Sequence, residues 1–394
     1  MVARFHIAMA LSCLAATAAG WTDRNEYDLV LTIRGEASAQ KQLVLLEQWK
    51  TRYPKTELRS VRNELFLAAH QSIGDDAKVL AVAREILADQ PDNLVGLYWC
   101  ALLAPESSDR SPEMLSTAEK AARSLLTAKV QDPAWVKQKP QIELMAHRTL
   151  GWVHWQRNEL PAAEEELTRC LEQNPKDARV SAWFGAMLAS QPQPEKKMVA
   201  IWHLSRAASL KDDNALSEPQ RRQLTPVADR LYASYHGSEE GLEGLRVSVL
   251  ASAFPPPGFS IESAAVLAAR RAEEELAFRN PQLSAWLKIK KRLESADGAS
   301  YFAASLRGAE LPKLRGTLVR ATPAKKPTEL VLALSDVTSA EVTLKLSSAL
   351  PGEAEPGLQL DFEATGDAFT ATPFQLVLLG SPNNVSGWPG AAQK

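Results

Sequence analysis

The stretch His147–Pro175, with the sequence HRTLGWVHWQRNELPAAEEELTRCLEQNP, decides how the larger, N-terminal part of the chain is interpreted. Its apolar and small residues recur at intervals of three and four, which predicts two short amphipathic helices with a turn between them. Gly151, Ala163 and Cys170 are small enough to let the two helices approach closely. Because such a hairpin cannot bury its own apolar face, it needs neighbours of the same kind.

The next segment of the chain repeats this pattern. Leu150 and Gly151 recur thirty-four residues later as Phe184 and Gly185. The packing positions of the second helix (Ala163, Leu167, Cys170) recur thirty-seven residues later, as Ala200, Leu204 and Ala207. The three additional residues fall in the turn around 191–194, so both packing faces stay in register. Two consecutive hairpins in register predict a helical solenoid.

This pattern resembles the tetratricopeptide repeat (TPR), a helix–turn–helix unit of about thirty-four residues. The resemblance is specific over 144–210. Apolar stripes closed by Pro54 and Pro91 indicate degenerate units before it, so the sequence predicts a TPR-like solenoid over 21–253. The resemblance implies an interaction scaffold that binds a protein or peptide partner without a cofactor.

The TPR resemblance also implies where a partner would bind. In that family the first helix of each unit lines a concave groove that holds an extended peptide or a partner's helix. Alignment on the family's small-residue position carries the groove-facing places onto Arg148, Trp152, Trp155, Gln156 and Arg179. Tryptophan and arginine side chains often carry much of the binding energy of an interface. The alternative is that Trp152 and Trp155 pack against a neighbouring repeat or against Trp135.

The pattern changes after 254–258, a segment with three consecutive prolines that cannot continue a helix. Two helical segments follow, and then come five short β-rich segments at 316–321, 329–335, 341–347, 358–363 and 374–379. Several of them alternate apolar with polar residues, which predicts a small all-β barrel or sandwich. Residues 301–306 are a candidate for a further strand. The segments from 316 and 358 resemble OB-type barrels of bacterial envelope proteins.

The predicted fold is therefore mostly α, with a small β domain near its end. The predicted order is a signal peptide (1–20), the solenoid (21–253), a proline linker with two connecting helices (254–298), the β domain (299–380) and a flexible tail (381–394). Beyond the N-terminus, no apolar run in the sequence is long enough to span a bilayer.

The N-terminus of the sequence predicts export. Arg4 supplies a positive charge, residues 5–16 form an apolar core, and small residues at 16–20 offer a cleavage site. We therefore expect a periplasmic or extracellular protein of bacterial type. A leucine lies one place too close to Cys13 for a lipobox, so a lipoprotein anchor is not expected. Cys100 and Cys170 are expected to be buried thiols and not a disulfide framework.

No stretch of the sequence predicts a reaction, a cofactor or a metal site. His147 and His154 lack the HExxH arrangement of zinc proteases, and neither GxSxG nor GK[ST] occurs. The formal net charge is −2, and residues 299–380 hold seven basic and nine acidic residues, which argues against nucleic-acid binding. A non-enzymatic adaptor is the preferred interpretation. The alternative is an envelope enzyme or a carbohydrate-binding module with its site in the β domain.

Overall fold

A computed structural model of the protein describes residues 20–389. The predicted signal peptide lies outside the described residues except for Gly20. The chain divides between Glu262 and Ser263 into two compact units. The first is a solenoid of helices and the second contains a closed five-stranded barrel, which confirms the predicted fold class. The division falls inside the segment predicted as a linker, 254–298.

Twelve α-helices follow one another along residues 20–262. They are α1 (Arg24–Gly35), α2 (Ala39–Arg52), α3 (Arg59–Ile73), α4 (Asp76–Asp89), α5 (Leu94–Leu103), α6 (Pro112–Thr127), α7 (Pro133–Gln156), α8 (Leu160–Gln173), α9 (Ala178–Ala189), α10 (Pro194–Ser209), α11 (Glu218–His236) and α12 (Leu242–Ser248). Each of α1 to α10 packs against the next, and α10 also packs against α11 and α12. A short 3₁₀ turn, Ala104–Glu106, separates α5 from α6.

Polar side chains fix where the helices of the central hairpins begin. Asp177 accepts hydrogen bonds of 3.0 Å from the backbone N–H groups of Arg179 and Val180, which caps α9. Asp132 caps α7 in the same way, and a proline follows it in the first turn. These caps satisfy N–H groups that would otherwise lack a partner at a helix start.

Two glycines set the distance between the helices of the central hairpins. A Cβ placed on Gly151 would stand 2.8 Å from Leu167 Cδ2, and one placed on Gly185 would stand 2.7 Å from Leu204 Cγ. Real Cβ atoms do not approach other atoms so closely. The predicted role of Gly151 and Gly185, close helix packing inside each hairpin, is therefore confirmed.

The proline segment packs against the last hairpin of the solenoid. Phe254 lies against the ring of His203 with 5.9 Å between ring centroids, and Phe259 lies edge-on to Trp202 at 4.9 Å. His203 and Trp202 are consecutive residues of α10, and both are buried. The segment therefore covers apolar surface at the end of the solenoid, which a terminal repeat needs in water.

The second unit begins with helices and ends with five strands. Its elements are α13 (Ala264–Arg279), α14 (Pro281–Leu293), α15 (Gly298–Tyr301), a π-helical turn (Phe302–Leu306), β1 (Leu314–Thr322), β2 (Glu329–Ala333), β3 (Val342–Leu346), β4 (Gln359–Thr370) and β5 (Gln375–Ser386). The strands close in the order β1-β2-β3-β5-β4, and β3 and β5 run parallel. This order is that of OB-type barrels.

Residues 301–306, the candidate for a further strand, are helical. Phe302 and Leu306 are buried, whereas the three residues between them are exposed. Burial at i and i+4 follows the period of a helix and not that of a strand. Both side chains enter the barrel core, where they join Trp286 and Leu293 of α14. α14 therefore contributes to the core of the barrel unit.

The structure corrects the predicted flexible tail over its first part. β5 continues to Ser386, because Val385 and Ser386 pair with Phe362 and Asp361 of β4. Trp388 is only 3% exposed, and its Nε1–H donates to the carbonyl oxygen of Pro351 at 2.7 Å. The polar segment after residue 380 is held by pairing with a distant strand, and local composition does not reveal such pairing.

Candidate functional site

A concave groove runs across the first helices of the central hairpins. A hollow of about 470 Å³ lies between α5, α7, the start of α9 and the segment that leads into α11. A second hollow of about 400 Å³ continues from it between the 3₁₀ turn at Ala104–Glu106, α9 and α11. Arg179, Leu216 and Gln220 line both hollows, so the two form one continuous groove. Concave surfaces of this size are typical of ligand sites.

Two arginines stand in this groove, each beside an acid. Arg148 Nη1 lies 3.9 Å from Asp177 Oδ2, and only 14% of the Arg148 side chain is exposed. Arg148 Nε is buried and has no hydrogen-bond partner among the described residues. Arg179 forms an ion pair with Glu106, and burial lowers the pKa of its guanidinium. Asp177 also caps α9, so one carboxylate connects Arg148 to the start of the helix that carries Arg179.

Carboxamide side chains line the groove along its length. The six members of this set are Gln138, Gln141, Asn174, Asn214, Gln220 and Gln223. Each carboxamide has two N–H donors and an oxygen acceptor. A peptide backbone offers the complementary carbonyl oxygens and N–H groups at regular intervals. The groove is therefore suited to hydrogen bonding with an extended chain.

The second hollow is the more apolar part of the groove. Trp183, Leu224 and Val227 line it together with Pro105 and Ala182. Val227 is 43% exposed, so this hollow presents an apolar side chain to solvent. A hollow of this kind next to polar groups can hold one apolar side chain of a ligand.

The structure brings together two of the five residues that the sequence predicts for partner binding. Arg148 and Arg179 line the groove. Trp152 is only 1% exposed, and the Arg110 guanidinium lies 4.8 Å from its ring centroid. The loop that carries Arg110 covers α7 at this turn, so Trp152 has no surface for a ligand. The binding role of Arg148 and Arg179 stays a prediction.

Trp155 and Gln156 lie at the last turn of α7. Trp155 is half-buried and contacts the apolar clusters on both sides of α7. Gln156 is half-buried too, and neither residue lines the hollows of the groove. Trp155 thus packs between successive hairpins, and a role in partner binding for it and for Gln156 stays a prediction.

Sequence reasoning missed all six residues of the carboxamide set and the hollow at Trp183. The sequence of 131–140, with prolines at positions 133 and 140, predicts a connector between helices, whereas α7 begins at Pro133 and continues through Pro140. Gln138 therefore lies on a helix that the sequence did not predict there. Gln141 lies three residues further along the same helix, α7. Asn214 and Gln220 belong to a segment outside the repeat pattern, and only tertiary packing brings them to the groove. The only sequence signal for this set was the spacing of three between Gln138 and Gln141, which places both side chains on one face of a helix.

Two acids of the barrel unit, Glu341 and Asp361, are held in structural interactions. Glu341 is 3% exposed and accepts hydrogen bonds from Lys290 Nζ, from the backbone N–H groups of Leu334 and Ser335 and from Ser335 Oγ. Burial alone would raise its pKa, but the Lys290 and Ser335 hydrogen bonds hold the pKa of Glu341 below its ordinary value. Asp361 forms a two-pronged pair with Arg315 at 2.6 and 3.0 Å, which lowers the pKa of Asp361.

Residues 20–389 offer neither a ready cluster of metal ligands nor a membrane-spanning helix. No group of three or more His, Cys, Asp or Glu side chains in this range is placed to hold a metal ion. None of the helices in the same range combines the length and the apolarity needed to cross a bilayer.

Comparison with known proteins gives similarity at the level of the fold. No family model and no curated protein matches the sequence. TTC0263, a thermophilic TPR protein of Thermus thermophilus, is 15% identical over 52% of this chain and 97% of its own, with a TM-score of 0.29. The type IV pilus biogenesis factor PilW is 13% identical over 57% and 99%, with a TM-score of 0.32. The TPR domain of P58(IPK) is 15% identical over 71% and 74%, with a TM-score of 0.28.

The class of the helical unit follows from its own geometry. Successive antiparallel hairpins, a glycine at the close approach inside each central hairpin and a groove along the first helices define a TPR-type solenoid. Two of the three similar structures, TTC0263 and P58(IPK), are of TPR type. At 13–15% identity and TM-scores near 0.3, they assign no ligand or partner to this chain. Stacked helical repeats form extended concave surfaces that are available for binding.

Proposed function

We propose that this protein is an exported, non-enzymatic scaffold that holds an extended peptide segment of a partner protein in the groove of its helical unit. The observation that carries this proposal is the set of six carboxamide side chains along the groove. Each of them can donate to a peptide carbonyl oxygen, and all except Gln220, whose oxygen accepts from Ser217 at the start of α11, can also accept from a peptide N–H. The bound segment is therefore recognised first by its backbone.

Side chains of the bound segment add selectivity. The hollow at Trp183 supports the binding of one apolar side chain, since a buried apolar anchor beside a tryptophan typically dominates an interface. Arg148 and Arg179 stand on the path between the polar and the apolar part of the groove. Their guanidinium groups favour a peptide with an acidic or hydroxyl side chain at that point.

The test of this proposal uses a selected peptide. Random peptides of about twelve residues are displayed on phage and selected on the purified mature chain, and the affinity of an enriched peptide is measured by fluorescence anisotropy. The double variant Gln141→Ala/Gln223→Ala removes two exposed carboxamides of the groove. At about 1 kcal/mol for each hydrogen bond, we expect the affinity to fall by about thirtyfold.

A matched control separates the groove from the rest of the surface. Gln131→Ala/Gln173→Ala removes two exposed glutamines that do not line the groove, so its affinity should equal that of the unchanged chain. Enrichment of no peptide, or equal losses in both double variants, would contradict the proposal.

Export is a separate part of the proposal, supported by the pattern of residues 1–20. Expression of the full chain in a bacterial host, followed by fractionation and N-terminal sequencing, tests it. We expect a periplasmic product that begins near Gly20. A cytoplasmic product that still begins at Met1 would contradict export.

A further inference from the structure

The groove of the helical unit carries one charge that no neighbouring charge balances. Arg148 lies beside Asp177. Arg179 forms an ion pair with Glu106. Asp213 also lines the first hollow of the groove, the one between α5, α7 and α9, and its exposed side chain has no hydrogen bond or ion pair with any described residue. The lining of the groove therefore has a surplus of one negative charge, and this charge lies at Asp213.

The two lysines near Asp213 face a different part of the surface. Lys211 and Lys176 line a separate hollow of about 590 Å³ between α10, α11 and α12. Lys176 is paired with Asp212, with 3.2 Å between Nζ and Oδ2. Neither lysine is among the residues that line the two hollows of the groove. The charge of Asp213 is therefore available to a ligand in the groove.

Hydrogen bonds hold the turn that carries Asp213 against the start of α9. The backbone N–H of Ala178 in α9 donates to the carbonyl oxygen of Asn214 at 3.3 Å. Within the turn, the N–H of Ala215 donates to the carbonyl oxygen of Asp212 at 2.9 Å, and Asp212 Oδ1 accepts from the N–H of Asn214 at 3.3 Å. Because the turn is already ordered, a ligand that binds Asp213 does not have to order it.

The surroundings of Asp213 in the first hollow suit a basic side chain. Asn174 and Asn214 line the same hollow, and their carboxamide oxygens can accept from an ammonium or a guanidinium group. Leu102 and Leu144 line it too, and both are partly exposed. The aliphatic part of a lysine or arginine side chain packs well on such apolar surface. An acidic side chain at this point would instead face an unpaired like charge, which is unfavourable.

We propose that Asp213 selects partner segments that carry a basic residue, lysine or arginine, at the end of the groove opposite the Trp183 hollow. This inference rests on the proposed function, because it concerns the same groove and specifies the chemistry of the segment bound there. Asp213 lines only the first hollow and Trp183 lines only the second, whereas Arg179 lines both. The basic and the apolar side chain of the bound segment therefore lie on opposite sides of Arg179.

Peptides selected on the unchanged mature chain test the proposal, first by their sequences and then by their affinities. We expect lysine or arginine to be enriched at one position, away from the apolar anchor. Asp213→Asn keeps the size of the side chain and removes its charge, so the affinity of an enriched peptide should fall about fivefold, the upper range for an exposed ion pair. This loss should shrink in about 0.5 M salt, which screens exposed charges.

Exchange of the charges between protein and peptide gives the sharpest readout. A peptide in which glutamate replaces the basic residue should bind the unchanged chain about tenfold more weakly or worse, because two like charges then meet. Asp213→Lys should bind this glutamate peptide better than the unchanged chain does, and the original peptide worse. Asp92→Lys reverses an exposed acid outside the groove and is the matched control for net charge, so it should leave both affinities unchanged.

The results distinguish failure of this inference from failure of the peptide groove itself. Enriched peptides that lose affinity for Gln141→Ala/Gln223→Ala, but that lack a basic residue or bind Asp213→Lys as well as the unchanged chain, would overturn the role of Asp213 and leave the groove as the peptide site. Enrichment of no peptide at all would overturn both.

Discussion

The side chain of Leu167 occupies the space that a side chain on Gly151 would need. A Cβ on Gly151 would lie 2.8 Å from Leu167 Cδ2 and 3.0 Å from Leu167 Cγ. The two helices that carry these residues, α7 and α8, thus meet at the distance that only glycine permits. This contact fixes the central hairpin and, with it, the direction of the groove-lining face of α7.

Gly151→Ala should therefore destabilise the protein, although alanine normally favours a helix. The alanine gains up to about 1 kcal/mol of helix propensity, but displacement of Leu167 costs about 1–3 kcal/mol. Chemical denaturation monitored by circular dichroism measures the net change. Gly244→Ala in α12 is the control, because no atom lies within 4 Å of a Cβ placed there. We expect that variant to be slightly more stable, and a stabilised Gly151→Ala would contradict the packing described for this hairpin.

His203 makes the stability of the solenoid depend on pH. It is fully buried between Phe184 and Phe254, with ring centroids 4.6 and 5.9 Å away, and neither ring nitrogen has a hydrogen-bond partner among the described residues. Burial, with a smaller contribution from the Arg206 guanidinium, lowers the pKa of His203 to about 3. Below the ordinary histidine pKa of about 6.5 the unfolded chain takes up a proton that the folded chain refuses, so stability falls with falling pH.

His203→Phe should remove this dependence. Each pH unit between 6.5 and 3 costs about 1.4 kcal/mol, so the unchanged chain should lose about 3 kcal/mol more than the variant between pH 7 and pH 4. Urea denaturation at a series of pH values gives both curves. Parallel curves for the two proteins would show that His203 is not held in its neutral form.

Cys100 and Cys170 should be unreactive in the folded protein. Both are buried and free, and burial raises the pKa of each thiol to about 12. The thiolate is the reactive form, so at pH 8 alkylation is limited both by its small population and by access. At these two cysteines, iodoacetamide treatment followed by mass spectrometry should show no label in the native state and complete labelling in denaturant. A Gln173→Cys variant, exposed on α8, should be labelled at once, and rapid native labelling of Cys170 would contradict its burial.

The Lys290–Glu341 pair attaches α14 to the barrel. Lys290 Nζ lies 2.5 Å from Glu341 Oε1, and only 4% of the Glu341 side chain is exposed. Lys290→Met leaves this carboxylate without its cation and should cost about 2 kcal/mol, less than a fully buried pair because Lys290 is partly exposed. Lys288→Met on the same helix removes an exposed lysine and should be neutral. Equal stability of both variants, measured by thermal unfolding, would contradict the role of the pair.

The local sequence pattern was sufficient to predict the hairpins and most of the strands. The interval of thirty-four residues between Gly151 and Gly185 reflects a contact inside each hairpin, so the sequence carries it directly. The five predicted β segments correspond to β1–β5 for the same reason, because alternation records which face of a strand is buried.

Contacts between distant segments were not predictable in this way. Trp152 is covered by the loop of Arg110, and Asn214 reaches the groove through the segment before α11. The end of β5 is polar and becomes a strand only because Val385 pairs with Phe362. The candidate site was predicted least completely, because its hollows are lined by segments that lie far apart in the sequence.

The central claim is that a peptide binds along the first helices of the solenoid, and site-specific photo-crosslinking tests it most directly. A photoreactive phenylalanine analogue replaces Gln223 in the groove, Gln173 on α8 or Thr343 on the barrel, and each protein is irradiated with a selected peptide. We expect mass spectrometry to find the peptide attached at position 223 and not at position 173 or 343. Attachment at 343 with none at 223 would contradict binding along the first helices and would place the binding site on the barrel.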